Sequence, residues 1–208
     1  VLPHGELGSL YKRLAKEDKN VVREPFTLLF YGRIWPYKGL KYLVEAMPSI
    51  IELIPQVKLI IAGEGENLQQ YFPDGFDEKQ NEMLGHYIKS EDVVGLFKRS
   101  SAVILPYIEA SQSGVAPLAY ALGTPVIASE IGGLAEMIYS EQDGLLVPPM
   151  DVTALADAII RLLSHSNLQN QLQNAALYRC QDDLNWSNIA AQTIEIYRKA
   201  IYLKSSYR

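Results

Sequence analysis

Residues 101–129, SAVILPYIEASQSGVAPLAYALGTPVIAS, decide how the rest of the chain is read. They open on an apolar run, Ala102 to Leu105, with the character of a buried parallel strand that stops at Pro106. A polar elbow follows from Tyr107 to Gly114, carrying one carboxylate, Glu109, and then Gln112, Ser113 and Gly114. Val115 to Leu122 has the length and alanine content of a helix, and Gly123 stands where a helix ends in a left-handed turn. Thr124 and Pro125 lead into a second apolar strand, Val126 to Ala128. Strand, glycine turn, helix N-terminus, glycine, strand is an order that presents backbone N–H groups to an anion. The simpler reading is an ordinary βαβ crossover that happens to carry a glutamate, since such units host many unrelated functions.

A second patch carries charge. FTLLFY, residues 26–31, reads as a buried strand and runs into Gly32-Arg33-Ile34-Trp35-Pro36-Tyr37-Lys38-Gly39. A glycine at a strand end lets backbone approach a ligand. Arg33 and Lys38 then place two cations at the carboxyl end of a parallel strand, the ligand edge of an open α/β sheet. Two solvated loop charges are the alternative. Leu40, Leu43, Met47, Ile50 and Ile54 follow at helical spacing, interrupted by Pro48, which predicts a kink or two shorter segments. KLIIA, 58–62, is the next strand and ends in Gly63-Glu64-Gly65-Glu66, with Glu64 and Glu66 expected in solvent. A polar excursion covers Tyr71 to Gln80, and a short strand is expected near Glu82 to Leu84, before Tyr87 and Ile88, which fit either a ligand wall or the core.

Ser90, with Glu91 and Asp92 behind it, has the look of a helix N-cap. Gly132 and Gly133 predict a tight turn into a short helix, and Asp143 to Val147 a last strand. Asp151 is placed to cap a helix carrying Leu155, Ile159 and Leu162, and helices are expected over 168–179 and 188–203. Trp186, Ile189, Thr193, Tyr197 and Ile201 give the last helix one face to bury. Near the start, a short helix is expected over 9–17.

At 208 residues the chain has enough apolar content for a sizeable core. Its net charge of −5, without a basic block, argues against nucleic acid as a partner. Cys180 is the single cysteine, which excludes an internal disulfide and fits a reducing compartment, here the cytoplasm. His4, His86 and His165 form no metal-ligand spacing. No apolar run approaches the length of a membrane span, and no Gly-x-Gly-x-x-Gly follows the first strand, which argues against a dinucleotide dehydrogenase.

Taken in register, these segments resemble the C-terminal, donor-binding domain of the GT-B glycosyltransferases, in particular the retaining family 4. Glu109, Gly114, Ala119, Ala121, Gly123, Pro125 and Val126 fit the family's signature, as do the Gly32-Arg33 and Lys38-Gly39 pairs and Gly132-Gly133 with Glu136. The signature's second acid, which in the family holds ribose hydroxyls, falls at Pro117 or Leu118, and the span from Glu109 to Gly123 is one residue long. The resemblance runs from Val1 to about Tyr202. It implies an α/β doubly wound parallel sheet, one Rossmann-like domain over 1–208 with an entry segment over 1–26, and a terminal helix over 184–205 that packs back on an N-terminal acceptor domain. It implies further that Arg33 and Lys38 grip the donor diphosphate and that Glu109 faces the donor sugar. Gly32, Gly63, Ile88, Ser113, Gly114 and Val115 then complete the nucleotide-sugar site, with Ile88 lying along the base. No metal or other cofactor is expected, because two basic side chains can neutralise a diphosphate.

The activity so implied is hexosyl transfer from a nucleoside-diphosphate sugar in polysaccharide biosynthesis, by a protein compatible with peripheral membrane association. The alternatives are a nucleotide-sugar binding module without transfer and a GT-B nucleotide-sugar epimerase. Starting as it does without methionine, the chain reads as a fragment, expected to bind donor and transfer nothing by itself.

Overall fold

The computed structural model describes residues 4–15, 21–72, 77 and 80–206, with side chains to residue 203. Elements alternate along the chain: α1 (Gly8–Leu14), β1 (Thr27–Tyr31), α2 (Leu40–Leu53), β2 (Lys58–Ala62), β3 (Asn81–Leu84), α3 (Ser90–Arg99) and β4 (Ala102–Leu105). Then come α4 (Val115–Ala121), β5 (Val126–Ser129), α5 (Gly132–Met137), β6 (Leu145–Val147), α6 (Val152–Ser164), α7 (Ser166–Gln181) and α8 (Trp186–Ser206). Short 3-10 turns cover Pro36–Lys38 and Leu68–Tyr71.

The six strands form one parallel sheet in the order β3-β2-β1-β4-β5-β6. Parallel strands need crossovers and helices on both faces, which is why the strands read as apolar runs and not as alternating ones. Residues of opposite parity feed two cores. Leu29, Ile60, Val103 and Val126 pack under α3, α4 and part of α7, while Leu28, Phe30, Leu59, Ile61, Ile104 and Ile127 pack under α2 and α6. The strand order reverses direction between β1 and β4, so the loops leaving these two strands diverge and open a crevice at the carboxyl edge. The doubly wound sheet expected from the sequence is the sheet observed.

Several local expectations need correction. Pro48 lies inside α2, which continues as one helix from Leu40 to Leu53. Pro48 is solvent-exposed, so the Val44 carbonyl that loses its donor can be hydrated, and the buried face of Leu40, Leu43, Ala46, Met47 and Ile50 outweighs the loss. Ser90 is not a cap: Lys89 holds the extended N-cap position and Ser90 is already helical, although Glu91 and Asp92 do fall in the first turn. Glu66 is half-buried and accepts a hydrogen bond from the Tyr71 hydroxyl. Asp151 does cap α6, accepting from Ala154 N–H at 2.9 Å. On α8, Ile189 is buried and Trp186, about half exposed, packs on His4 and Gly5 and donates to Glu6 O at 2.7 Å, whereas Tyr197 and Ile201 are exposed. Val1 to Pro3, Glu17, most of the excursion after Tyr71, and Tyr207 lie outside the described residues.

Candidate donor cleft

The crevice between the β1 and β4 loops is a cleft of about 730 Å³. Its walls bring together Arg33 and Lys38 from the β1 side and Glu109, Ser113, Gly114 and Val115 from the β4 side. Six of the nine residues singled out by sequence therefore meet in one place. Gly32 ends β1 directly beneath this wall, its N–H donating to Ala62 O at 2.9 Å. Gly63 and Ile88 lie elsewhere. Gly63 packs against the Gly32 carbonyl, where a Cβ would stand 1.8 Å from the oxygen, and its φ of 147° excludes most other residues. Ile88 is buried and borders a separate cleft with Tyr87 and α3.

The loop that carries Arg33 is pinned by backbone. Ile34 N–H donates to Glu64 O, and Glu66 N–H donates back to Ile34 O, both at 2.8 Å, so the β1 and β2 loops extend the parallel pairing past the strand ends. Ile34 itself is buried, which leaves Arg33 turned to solvent. On the β4 side, the elbow around Glu109 rests on the start of α5: Gly133 N–H donates to Ala110 O at 3.4 Å. Ser113 Oγ accepts from Val115 N–H at 3.3 Å, and this long hydrogen bond occupies one of the first donors of α4.

Electrostatically the cleft holds two cations against one carboxylate. Among the described residues neither Arg33 nor Lys38 is ion-paired. Burial, and secondarily the like charge of Arg33, lowers the Lys38 ammonium to a pKa of about 8. A positive, partly desolvated site with no internal counter-ion is suited to a multiply charged anion. Among the described residues, no group of His, Cys, Asp and Glu comes together that could hold a metal.

Sequence reading missed several contributors. Tyr107 lies under Lys38, and Tyr11, Tyr31 and Leu118 are among the other residues of the wall. Tyr31 and Tyr11 share a hydrogen bond, and burial first, then Tyr11, raises the Tyr31 hydroxyl's pKa. Leu118, one of the two positions where the signature's second acid would fall, lines this wall, whereas Pro117, the other, is buried in α4. An aromatic directly after a strand-ending proline was the one available signal for Tyr107. Tyr11 carried none, because α1 reaches the cleft only by packing across α3 and α4.

Comparison with known proteins agrees with this architecture. The family described as glycosyl transferases group 1 matches residues 25–165. An uncharacterized glycosyltransferase of Methanocaldococcus jannaschii is 32% identical over 177 residues, covering 84% of this chain and 45% of that protein. Sucrose-phosphate synthase from Thermosynechococcus elongatus superposes with a TM-score of 0.73 at 29% identity, covering 96% of this chain and 50% of that one. Anabaena HepE in complex with UDP superposes with a TM-score of 0.76 at 19% identity, covering 91% and 55%. The chain spans less than half the length of the curated relatives it matches. The sheet is thus the Rossmann-like sheet of GT-B glycosyltransferases, and since the family match runs from the entry to β1 through α6, this chain belongs to the group 1 glycosyl transferases.

Proposed function

We propose that this chain is the donor-binding domain of a transferase that moves a hexosyl group, with retention, from a nucleoside-diphosphate sugar to an acceptor held by a second domain. The observation that carries the reading is the convergence of Arg33, Lys38 and Glu109 on one cleft at the switch point of the sheet. In the reaction the bond between the anomeric carbon and the leaving phosphate oxygen breaks, the acceptor hydroxyl oxygen bonds to that carbon, and the hydroxyl proton passes to the departing diphosphate. Negative charge grows on the diphosphate as it leaves, so fixed cations stabilise the transition state more than the ground state. Arg33 and Lys38 serve that role without a metal. A phosphate oxygen replaces Ser113 Oγ as acceptor of the Val115 N–H, and the Ser113 O–H, which that hydrogen bond does not use, donates to the same anion. Glu109 faces the sugar and either accepts from its hydroxyls or opposes the positive charge that develops at the anomeric carbon.

HepE, whose fold this chain shares, has been solved with UDP, which makes UDP-sugars the first donors to try. The acceptor domain is proposed to dock on α8, whose Ile194, Tyr197 and Ile201 are exposed at helical spacing. Half a cleft should bind weakly, with a dissociation constant on the order of 10 μM to 1 mM, and transfer nothing. The test is Glu109→Gln in the full-length protein. Turnover at saturating donor is expected to fall about a hundredfold or more, with UDP affinity changed less than about threefold. Weakened UDP binding with normal turnover would show that Glu109 has another role, and inversion at the anomeric carbon, read by NMR of the product, would remove retention.

A further inference from the structure

Residues 106–108 leave β4 and pass beneath the turn that carries Lys38. Backbone ties the two segments together. Ile108 N–H donates to Tyr37 O at 2.8 Å. Gly39, at φ 69°, lies so near Pro106 that a Cβ would stand 1.8 Å from its carbonyl oxygen. Between these contacts the Lys38 ammonium sits 3.7 Å from the centre of the Tyr107 ring and 5.3 Å from that of Tyr37. Tyr107 is 1% exposed and belongs to the core under α3 and α4, so its ring cannot move with the lysine. Its hydroxyl lies 3.5 Å from Ser113 Oγ, also on the β4 side of the cleft.

A lysine has a flexible stem and a strongly hydrated head, and left alone it would turn outward into water. Here Arg33 repels it and burial desolvates it, which adds to that tendency. A carboxylate partner would hold the ammonium in place, but it would also cancel the charge that an anion needs. The face of an aromatic ring attracts a cation through its quadrupole and leaves the net charge intact, an effect worth about two- to thirtyfold in an equilibrium.

We propose that Tyr107 is a positioning residue for the donor diphosphate: its buried ring fixes the Lys38 ammonium on the cleft wall without neutralising it. This rests on the donor reading above. The charged and titratable groups around that ammonium are Arg33 and Tyr37 on its own loop and Tyr107 with Glu109 on the β4 side. Glu109 shares the cleft but is not ion-paired with Lys38, so the ring holds the position.

The test is a double-mutant cycle read by calorimetry with UDP, GDP and ADP, on this chain. Lys38→Met is expected to weaken binding of the best of the three about tenfold or more, and Tyr107→Leu by about as much as the platform is worth, up to about tenfold. In the Tyr107→Leu background, Lys38→Met should cost less than about threefold, because the lysine has already lost its place. Tyr107→Phe keeps the ring and should recover most of the affinity lost in Tyr107→Leu. Additive losses, or a Phe variant as weak as Leu, would make Tyr107 merely structural and overturn the proposal. Should Tyr107→Leu not fold, the wild type decides the matter. After reductive methylation, the Lys38 dimethylammonium resonance, assigned by its absence in Lys38→Met, should be shifted upfield by the ring and titrate well below the other lysines. A resonance at the position of exposed lysines overturns the platform. Absence of binding by the wild type to all three nucleotides would overturn the donor reading and the proposal with it, whereas binding with additive losses would remove the role of Tyr107 alone.

Discussion

Two cations of this domain are placed over tyrosine rings, and their surroundings could hardly differ more. Arg179, on α7, lies 4.0 Å from the Tyr139 ring centre, is 9% exposed, and is paired with Asp143, itself 1% exposed. Asp143 also accepts from the Tyr120 hydroxyl at 2.7 Å and from Tyr139 N–H at 2.8 Å, while Arg179 donates to Met137 O at 2.6 Å. Both oxygens of the Asp143 carboxylate accept hydrogen bonds, and the guanidinium is paired. Lys38 over Tyr107 forms no ion pair among the described residues. The first arrangement closes β6 and α7 onto α4, and the second leaves a positive charge waiting at a cleft. A buried, satisfied ion pair contributes to a unique packing, whereas an unsatisfied, desolvated cation lowers stability in exchange for binding.

The sharpest way to break this contrast is to remove Arg179. Arg179→Met strands the Asp143 carboxylate inside the protein, and the expected loss is about 3–5 kcal/mol of stability. In calorimetry the melting temperature should fall by about 10 °C or more, while the protein that remains folded keeps its affinity for nucleotide. A drop of less than about 2 °C would mean that the network is dispensable.

Arg33→Ala and Lys38→Ala should show the opposite pattern. Each is expected to weaken nucleoside-diphosphate binding by about 1.5–3 kcal/mol, the range for hydrogen bonds to charged groups. The melting temperature should hardly move for Arg33→Ala, because Arg33 is exposed, and should not fall at pH 7 for Lys38→Ala, because a desolvated ammonium is removed. Equal affinities in titration calorimetry would remove these two cations from the diphosphate site.

A pH series sharpens the comparison further. The folded Lys38 has a pKa of about 8 against an ordinary value of 10.5. Between those values the unfolded chain binds more protons than the folded one, so the destabilisation by the Lys38 ammonium is at its full size below about pH 8 and is relieved as pH rises through that window. Lys38→Met should therefore melt higher than the wild type at pH 7, with the difference shrinking toward pH 10. A variant less stable than the wild type at pH 7 would show that the ammonium is not held at a cost.

The smallest effect is expected at Arg161 and Glu141, a bidentate pair with both contacts at 2.6 Å and both side chains about half exposed. Despite its geometry, Arg161→Ala should cost no more than about 1 kcal/mol, because water and salt screen an exposed pair. Loss approaching that of Arg179→Met would contradict the view that burial, not distance, separates these ion pairs.

How much of this was legible beforehand varies by element. The strand at 58–62 and the cap at Asp151 could be read directly, since an apolar run between turn residues and an Asp before a helical pattern are local signals. The cleft was legible in part. Arg33, Lys38 and Glu109 stand out because charge at the carboxyl end of a parallel strand has few structural uses. Gly63 and Ile88 stand out only through the family resemblance, and here Gly63 packs against Gly32 and Ile88 borders a cleft beside α3. A motif gives a residue's place along the chain but not the direction in which its neighbours let it point.

What the sequence by itself determined is the order of strands and helices, the parallel sheet, and the two charged loops at one of its edges. Those follow from local periodicity, glycine and proline positions, and the handedness that brings successive parallel strands together. Only the tertiary structure decided that Tyr107 lies beneath Lys38, that Arg179 meets Asp143 across 36 positions of sequence, and that α8 buries Ile189 but leaves Tyr197 and Ile201 exposed. Each of these depends on which side chains reach the same point in space from distant segments. Burial then sets the dielectric in which one cation is paired as a fastener and the other stands unpaired, among the described residues, at a cleft.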